Sequence, residues 1–446
     1  MKKKSFTGYL FTLTLPIIIQ NLITTSLNLV DTFMIGRVGE SELAAVGIAN
    51  QYYFLFTLFM YGIAGGAAVF IAQLWGSQEK KRIKKVLARS LVYGTAVTAV
   101  FMIFGYKWTE AIIGIFNGSE VVLYHGSRYL RITLIGYLFT SISFVLAAGL
   151  RSINHTKIPM YASLIGLVIN MILNNILIFG RWGMVPMGVE GAAIATIVAR
   201  GIECLILLIF VYYQVTDLAV KPRDFIRLHP DTKKVLHSVT WPILCNEACW
   251  GLGMVTYVSL YARLGIPQAA AMQICSTMIN LFMVIAFGLA YSALVMVGNE
   301  VGGGNLEGAM WASQKIRSMG LKVGFCLALL LFFIAPYIGS LFNVTAEVKW
   351  LVTSVLRVHS VMFPLRMINM IMIVGVLRGG GDAMFSTVTQ GLVMWLVGIP
   401  LTYVAANLLG WPLPMVVAVM FAESMIQGLI VQKRYESNQW MKTLVA

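Results

Sequence analysis

An aspartate inside an oily stretch is the residue with the most chemistry to explain. Asp31 lies in an apolar run from about Tyr9 to Gly36, where Asn21, Thr24, Asn28 and Asp31 recur at helical spacing and share one polar stripe. Such a stripe predicts that this face meets a wet cavity or other polar helices. Asn170 and Asn174, four residues apart in another apolar run, share a face and offer a partner. One carboxylate with amide oxygens can ligate a hard cation, so Asp31, Asn170 and Asn174 form a candidate Na⁺ site. The same carboxylate, partly desolvated, can instead take up and release a proton. The structural alternative is a hydrogen-bonding cluster that only joins helices.

Glu247 is the second candidate, at the start of a helical face that continues through Trp250, Met254, Tyr257 and Tyr261. Charge pairing, cation–π attraction and apolar area together suit a lipophilic organic cation. The alternative is that Glu247 pairs with a basic residue such as Arg366 and ties helices together. Arg200 and Glu203 stand three apart and can pair on one helix. Glu423 can join either network, and Arg357, His359 and Arg366 form a basic stretch. The five cysteines lie in apolar runs, and no cysteine or histidine cluster completes a metal site.

The elements that position these residues follow from composition. Of 446 residues, 59% are hydrophobic and 11% charged, against about 25% charged in soluble domains. Only a bilayer suits such a chain, and at ~20 residues per span it has room for about a dozen helices. The expected fold is all-α and integral to the membrane, with no soluble domain large enough for catalysis, so no enzyme and no cofactor are expected. No G-x-x-x-x-G-K-S/T loop is present, which argues against a nucleotide partner. The triple glycines Gly302–Gly304 and Gly379–Gly381 read as turns at helix ends. The net charge of +15 is scattered between apolar runs, a record of membrane orientation and not a nucleic-acid surface.

Twelve helices are expected, at about 11–36, 43–74, 87–106, 130–150, 160–180 and 190–213, then 239–262, 268–300, 318–338, 351–377, 385–408 and 412–432. The first reads as a retained span despite the preceding Lys2, Lys3 and Lys4, because it is longer than a signal core and contains Asp31. The organisation expected is a lobe over 1–213, a linker over 214–238, a second lobe over 239–432 and a tail over 433–446. Lys2–Lys4, the Lys80–Lys85 cluster, Arg151, Lys157, Lys221, Arg223, Arg227, Lys233, Lys234, Arg378, Lys433, Arg434 and Lys442 fall on one side. The positive-inside rule then places both termini in the cytoplasm.

Sliding the sequence by 226 residues exposes a repeat: Pro16-Ile17 falls on Pro242-Ile243, Arg37 on Arg263, Gly62 on Gly288 and Gly76 on Gly302. One further residue of shift brings Leu150-Arg151 onto Leu377-Arg378. Each copy holds six helices, so two pseudo-symmetric bundles enter the membrane in the same orientation, an arrangement typical of transporters. At the 226-residue shift Glu247 overlies Asn21 and not Asp31, so the two halves differ chemically.

With these features the chain resembles the multidrug and toxic compound extrusion (MATE) family over nearly its whole length. The likeness rests on Pro16-Ile17 with Asp31 fifteen residues on, the Asp31-Thr-Phe-Met-Ile-Gly end of the first helix, and the Gly76 turn with its basic cluster. The Leu150-Arg151 and Leu377-Arg378 helix ends and Asn246-Glu247 complete it. The resemblance implies two six-helix lobes in a V shape and Na⁺- or H⁺-coupled antiport of cationic or amphipathic toxic compounds. It carries cation-coupling roles to Asp31, Asn170 and Thr196, while Asn174 stands where the family has a second acid. Asn28, on the Asp31 stripe, joins this set. Glu247, Trp250 and Tyr257 are the expected substrate contacts, and Pro16 is the expected hinge. The expected location is the cytoplasmic membrane. A flippase for lipid-linked precursors is the alternative, kept open by Arg357 and Arg366.

Overall fold

The computed structural model describes residues 6–116, 119–226, 230–342 and 344–445. Lys2–Lys4 and Arg227, used above for orientation, lie outside the described residues. Twelve long helices follow one another: α1 (Phe6–Gly36), α2 (Glu40–Gly76), α3 (Lys80–Lys107), α4 (Glu120–Ser152), α5 (Lys157–Phe179) and α6 (Gly188–Tyr213). The second set is α7 (Pro230–Ala262), α8 (Ile266–Gly302), α9 (Leu306–Ile338), α10 (Ala346–Leu377), α11 (Ala383–Leu408) and α12 (Leu413–Glu436). Short helices at Thr109–Gly114 and Pro222–Ile226 lie in connections.

Among the described residues, eleven helices are long and apolar enough to cross a bilayer. α7 has the length, 33 residues, but Asp231, Lys233, Lys234, Asn246 and Glu247 dilute its apolar character. Most helices outrun the apolar runs that announce them. α3 begins at Lys80 and α9 at Leu306, because Lys, Arg and Glu are good helix formers and prolong a helix past the hydrocarbon at little cost. At 37 residues, α2 and α8 are about 55 Å long, well beyond the ~30 Å hydrocarbon layer.

The chain divides into two compact units. The first comprises Met1–Ile71 with Glu79–Leu244, and the second comprises Ala72–Gln78 with Cys245–Ala446. Both α2 and α7 therefore give turns to each unit, and the division falls inside α7, past the polar 214–238 stretch. In the first unit an aromatic core joins α2, α3 and α4: Phe56 stacks on Tyr137 at 4.6 Å and meets Phe101 edge-on at 5.5 Å. In the second unit α10 packs against α8, α9 and α12.

Two glycines matched by the repeat, Gly76 and Gly302, sit together in this second unit. A side chain on Gly76 would collide with the Asn299 carbonyl, and one on Gly302 with the backbone of Gln73, so the ends of α2 and α8 cross at backbone contact. Gly304 and Gly381, with φ of +75° and +92°, form the turns expected of the glycine runs.

α10 contains a π-helical turn at Ile371–Leu377. A π turn accommodates one extra residue within an α-helix. Upstream of it the 226-residue shift still holds, with Leu130-Arg131 on Leu356-Arg357 and Tyr137 on Phe363. Downstream the shift is 227, at Arg378. The π turn thus accounts for the change of register between the two copies.

Candidate functional site

α1, α5 and α6 of the first unit bring Asp31, Asn170, Asn174 and Thr196 together. Asp31 is 7% exposed, and both asparagines are fully buried. The Asn174 amide Nδ2 donates to Asp31 Oδ1 at 2.5 Å and to Asn170 Oδ1 at 3.0 Å. Asn170 Nδ2 in turn approaches Thr196 Oγ1 at 3.5 Å, while Thr196 donates back to Ala192 O at 2.9 Å. The i,i+4 spacing of the two asparagines makes this ladder, since both project from the same side of α5. Tyr129 of α4, 5% exposed, stands beside this group.

The chemistry of the cluster is that of an oxygen-rich pocket with one formal negative charge. Among the described residues, no basic side chain hydrogen-bonds to Asp31; its direct donor is a neutral amide. Asn174 Oδ1 is buried and has no hydrogen-bond partner among the described residues. A buried acceptor left unmatched costs about 1–3 kcal/mol, and a small cation beside it would remove that cost. The donor set therefore fits a hard monovalent cation or a proton.

Of the α1 stripe, Asn28 is exposed, with its carbonyl accepting from Thr32 Oγ1 at 2.7 Å; its side chain does not join the cluster. Pro16 lies buried inside α1. Lacking an N–H, it leaves the Thr12 carbonyl without its helical donor, and Thr156 Oγ1, from the start of α5, approaches that carbonyl at 3.3 Å. The expected hinge is thus tied to the helix that carries the two asparagines.

The α7 candidates do not form one group. Glu247 accepts from Arg378 Nη1 at 3.3 Å, with 19% and 5% of the two side chains exposed, so its basic partner is Arg378 and not the expected Arg366. Trp250 is partly exposed. Tyr257, about 15 Å along α7 from Glu247, is buried, stacks on Tyr261 at 6.2 Å and donates to Glu423. Arg366 Nη1 instead meets His359 Nδ1 at 3.2 Å.

Sequence reasoning missed the counterpart of the Glu247 pair. In the first unit Arg151 Nη1 donates to Gln20 Oε1 at 3.0 Å. Arg151 falls on Arg378 at the 227-residue shift, while α1 and α7 stay in register at 226, where Gln20 falls on Asn246, next to Glu247; the matched arginines thus bond an amide in one copy and an acid in the other. It also missed Ser163, two helical turns before Asn170 on α5, which donates to Glu203 at 2.6 Å. Its position on the Asn170 face was the available signal.

Comparison with known proteins gives consistent results. The MatE family model matches residues 16–176 and again 242–404, starting at Pro16 and at its repeat-mate Pro242. The chain is 23% identical to the transporter YisQ of Bacillus subtilis over 435 residues, covering 97% of this chain and 95% of that protein. With the multidrug resistance protein MdtK of Pectobacterium atrosepticum, identity is 27% over 411 residues, covering 88% and 86%. A mutant of the Vibrio cholerae MATE transporter VcmN superposes with a TM-score of 0.90 at 19% identity, over 99% of each chain; this likeness is one of fold.

Proposed function

Because the chain belongs to the multidrug and toxic compound extrusion (MatE) family, we propose that it is a secondary antiporter exporting organic cations or amphipathic compounds in exchange for Na⁺ or H⁺. It is a multi-pass membrane transporter, not an enzyme. The observation that carries the coupling role is a buried Asp31 bonded to an amide and not to an arginine, beside the unmatched Asn174 Oδ1. A carboxylate kept in such surroundings at a cost of at least about 2.5–3.5 kcal/mol needs a task.

In this reading Asp31 alternates between cation-bound and empty, with Asn170, Asn174 and Thr196 supplying neutral oxygens. Loading changes the charge on α1, and Pro16 lets that helix bend while Thr156 holds the freed carbonyl. Export follows when the ion and the exported compound favour different states. Glu247 and Trp250, both partly exposed on α7, are the proposed substrate contacts, with Tyr257 buried further along the same helix. The scattered basic residues support a reading in which the chain sits in the cytoplasmic membrane with both termini inside.

The test is dye efflux from proteoliposomes with Na⁺ and pH gradients imposed separately. Asp31→Asn is expected to insert normally and to lose gradient-driven efflux under whichever gradient drives the native protein. Full efflux by that variant overturns the coupling role.

A further inference from the structure

Asp31, Glu203 and Arg200 lie close together in the first unit, and their arrangement bears on how the proposed coupling site is set. α5 and α6 are joined by two polar rungs. One is Asn170–Thr196, beside Asp31; the other is Ser163–Glu203, with Ser163 Oγ donating to Glu203 Oε1 at 2.6 Å. Seven residues of helix separate the rungs, about 10 Å. Arg200 lies between them on α6, one turn beyond Thr196, and its Nη1 donates to Glu203 Oε2 at 2.9 Å. Arg200 and Glu203 are 12% and 10% exposed in their side chains. The Arg200 charge also acts on Asp31 through space. One guanidinium is therefore bonded to one buried carboxylate and lies within electrostatic reach of another.

The other groups facing this cluster include the phenols of Tyr53 on α2 and Tyr129 on α4. Arg151 on α4 donates to Gln20, whose Nε2 approaches Ser163 Oγ at 3.3 Å. Asp31, Glu203 and Arg200 together carry one net negative charge. Removing a charge from water is costly unless it is paired, so the cluster has room for a single positive charge from outside.

We propose that Arg200 is a resident counter-cation shared by Asp31 and Glu203, and that Glu203, held by Ser163, keeps it from neutralising Asp31, so that one monovalent cation is taken up per cycle. Arg200 and Glu203 are positioning residues in this scheme, and the scheme rests on the coupling role of Asp31. Glu203 sets how much of the Arg200 charge reaches Asp31, and so how tightly the coupling ion binds.

The test measures the half-saturating concentration of the driving ion and the maximal efflux rate in proteoliposomes of the full chain. E203Q releases Arg200 toward Asp31 and is expected to raise the half-saturating concentration about tenfold, within the usual range of coupling effects. R200Q is expected to lower it by a similar factor. The double variant R200Q/E203Q restores one net negative charge and is expected to return near the native value, and R200K is expected to stay there. Single variants that shift in the same direction, or a double variant no better than the worse single one, overturn the proposal. If E203Q cannot be recovered folded, R200Q decides alone, and an unchanged or raised half-saturating concentration overturns it. Loss of efflux by D31N with no response to Arg200 or Glu203 rejects this inference while leaving the coupling role of Asp31 standing. Full efflux by D31N rejects both.

Discussion

At the scale of single residues, the site is defined by what Asn174 does with its amide. Both Nδ2 hydrogens are committed, to Asp31 and to Asn170, which leaves Oδ1 buried without a donor among the described residues. Replacing Asn174 with Asp exchanges a donor for a second negative oxygen pair. Asn174→Asp is expected to lower the half-saturating concentration of the driving ion about tenfold, a modest result for a second charge within a few ångströms. Kinetics of efflux against ion concentration check this. In the second unit, Glu247→Gln strands Arg378, whose Nε and Nη2 already lack partners among the described residues. Breaking a buried pair costs about 3–5 kcal/mol, and with Glu247 partly exposed the expected loss is about 2–3 kcal/mol, read as a lowered denaturation midpoint in detergent. The four-residue spacing of Asn170 and Asn174 and the position of Asp31 made much of the candidate cluster legible, although Asn28 of the α1 stripe lies outside it. Arg378 as the partner of Glu247 was not, because 131 residues separate them and no periodicity links residues on different helices.

At the scale of elements, the apolar runs located every long helix but cut most of them short. Hydropathy reports the part of a helix that lies in oil; it is silent about turns of Lys, Arg and Glu that continue beyond it, as at Lys80 in α3. The sequence did register one local irregularity, as the extra residue of shift at Leu377-Arg378, and the π turn at Ile371–Leu377 gives its physical form. Deleting one residue within that turn, such as Val374, is expected to convert it to α-helix while both flanks keep their facing. A deletion at Val358, within regular helix, rotates the flanks by about 100° relative to each other and is expected to prevent folding. Recovery of monodisperse protein after solubilisation distinguishes the two.

At the scale of the whole molecule, the repeat in sequence and the units in space do not share boundaries. The repeat predicts a division in the polar stretch after α6, yet the last turns of α2 pack with the second unit and the first turns of α7 with the first. The reason is visible at Gln73, which is fully buried. Its Nε2 donates to Gly379 O and Lys442 O, each at 3.1 Å, and its Oε1 accepts from Leu444 N at 2.8 Å. Trp440, also fully buried, packs beside Gly380 and stacks on Tyr435 at 5.7 Å. Gln73→Ala removes three bonds and leaves backbone groups unmatched, for an expected loss of about 2–4 kcal/mol. A thermal unfolding shift in detergent, with Gln73→Asn as a milder control, measures it.

This one side chain also orders events during synthesis. The ribosome makes Gln73 369 residues ahead of Lys442 and 371 ahead of Leu444. Throughout that interval every span can enter the bilayer while the amide waits for its partners. A nascent chain stopped shortly before Lys442 would hold the twelve long helices with only the Gly379 part of the fastening, and so would look to a quality-control protease like a protein that has not finished.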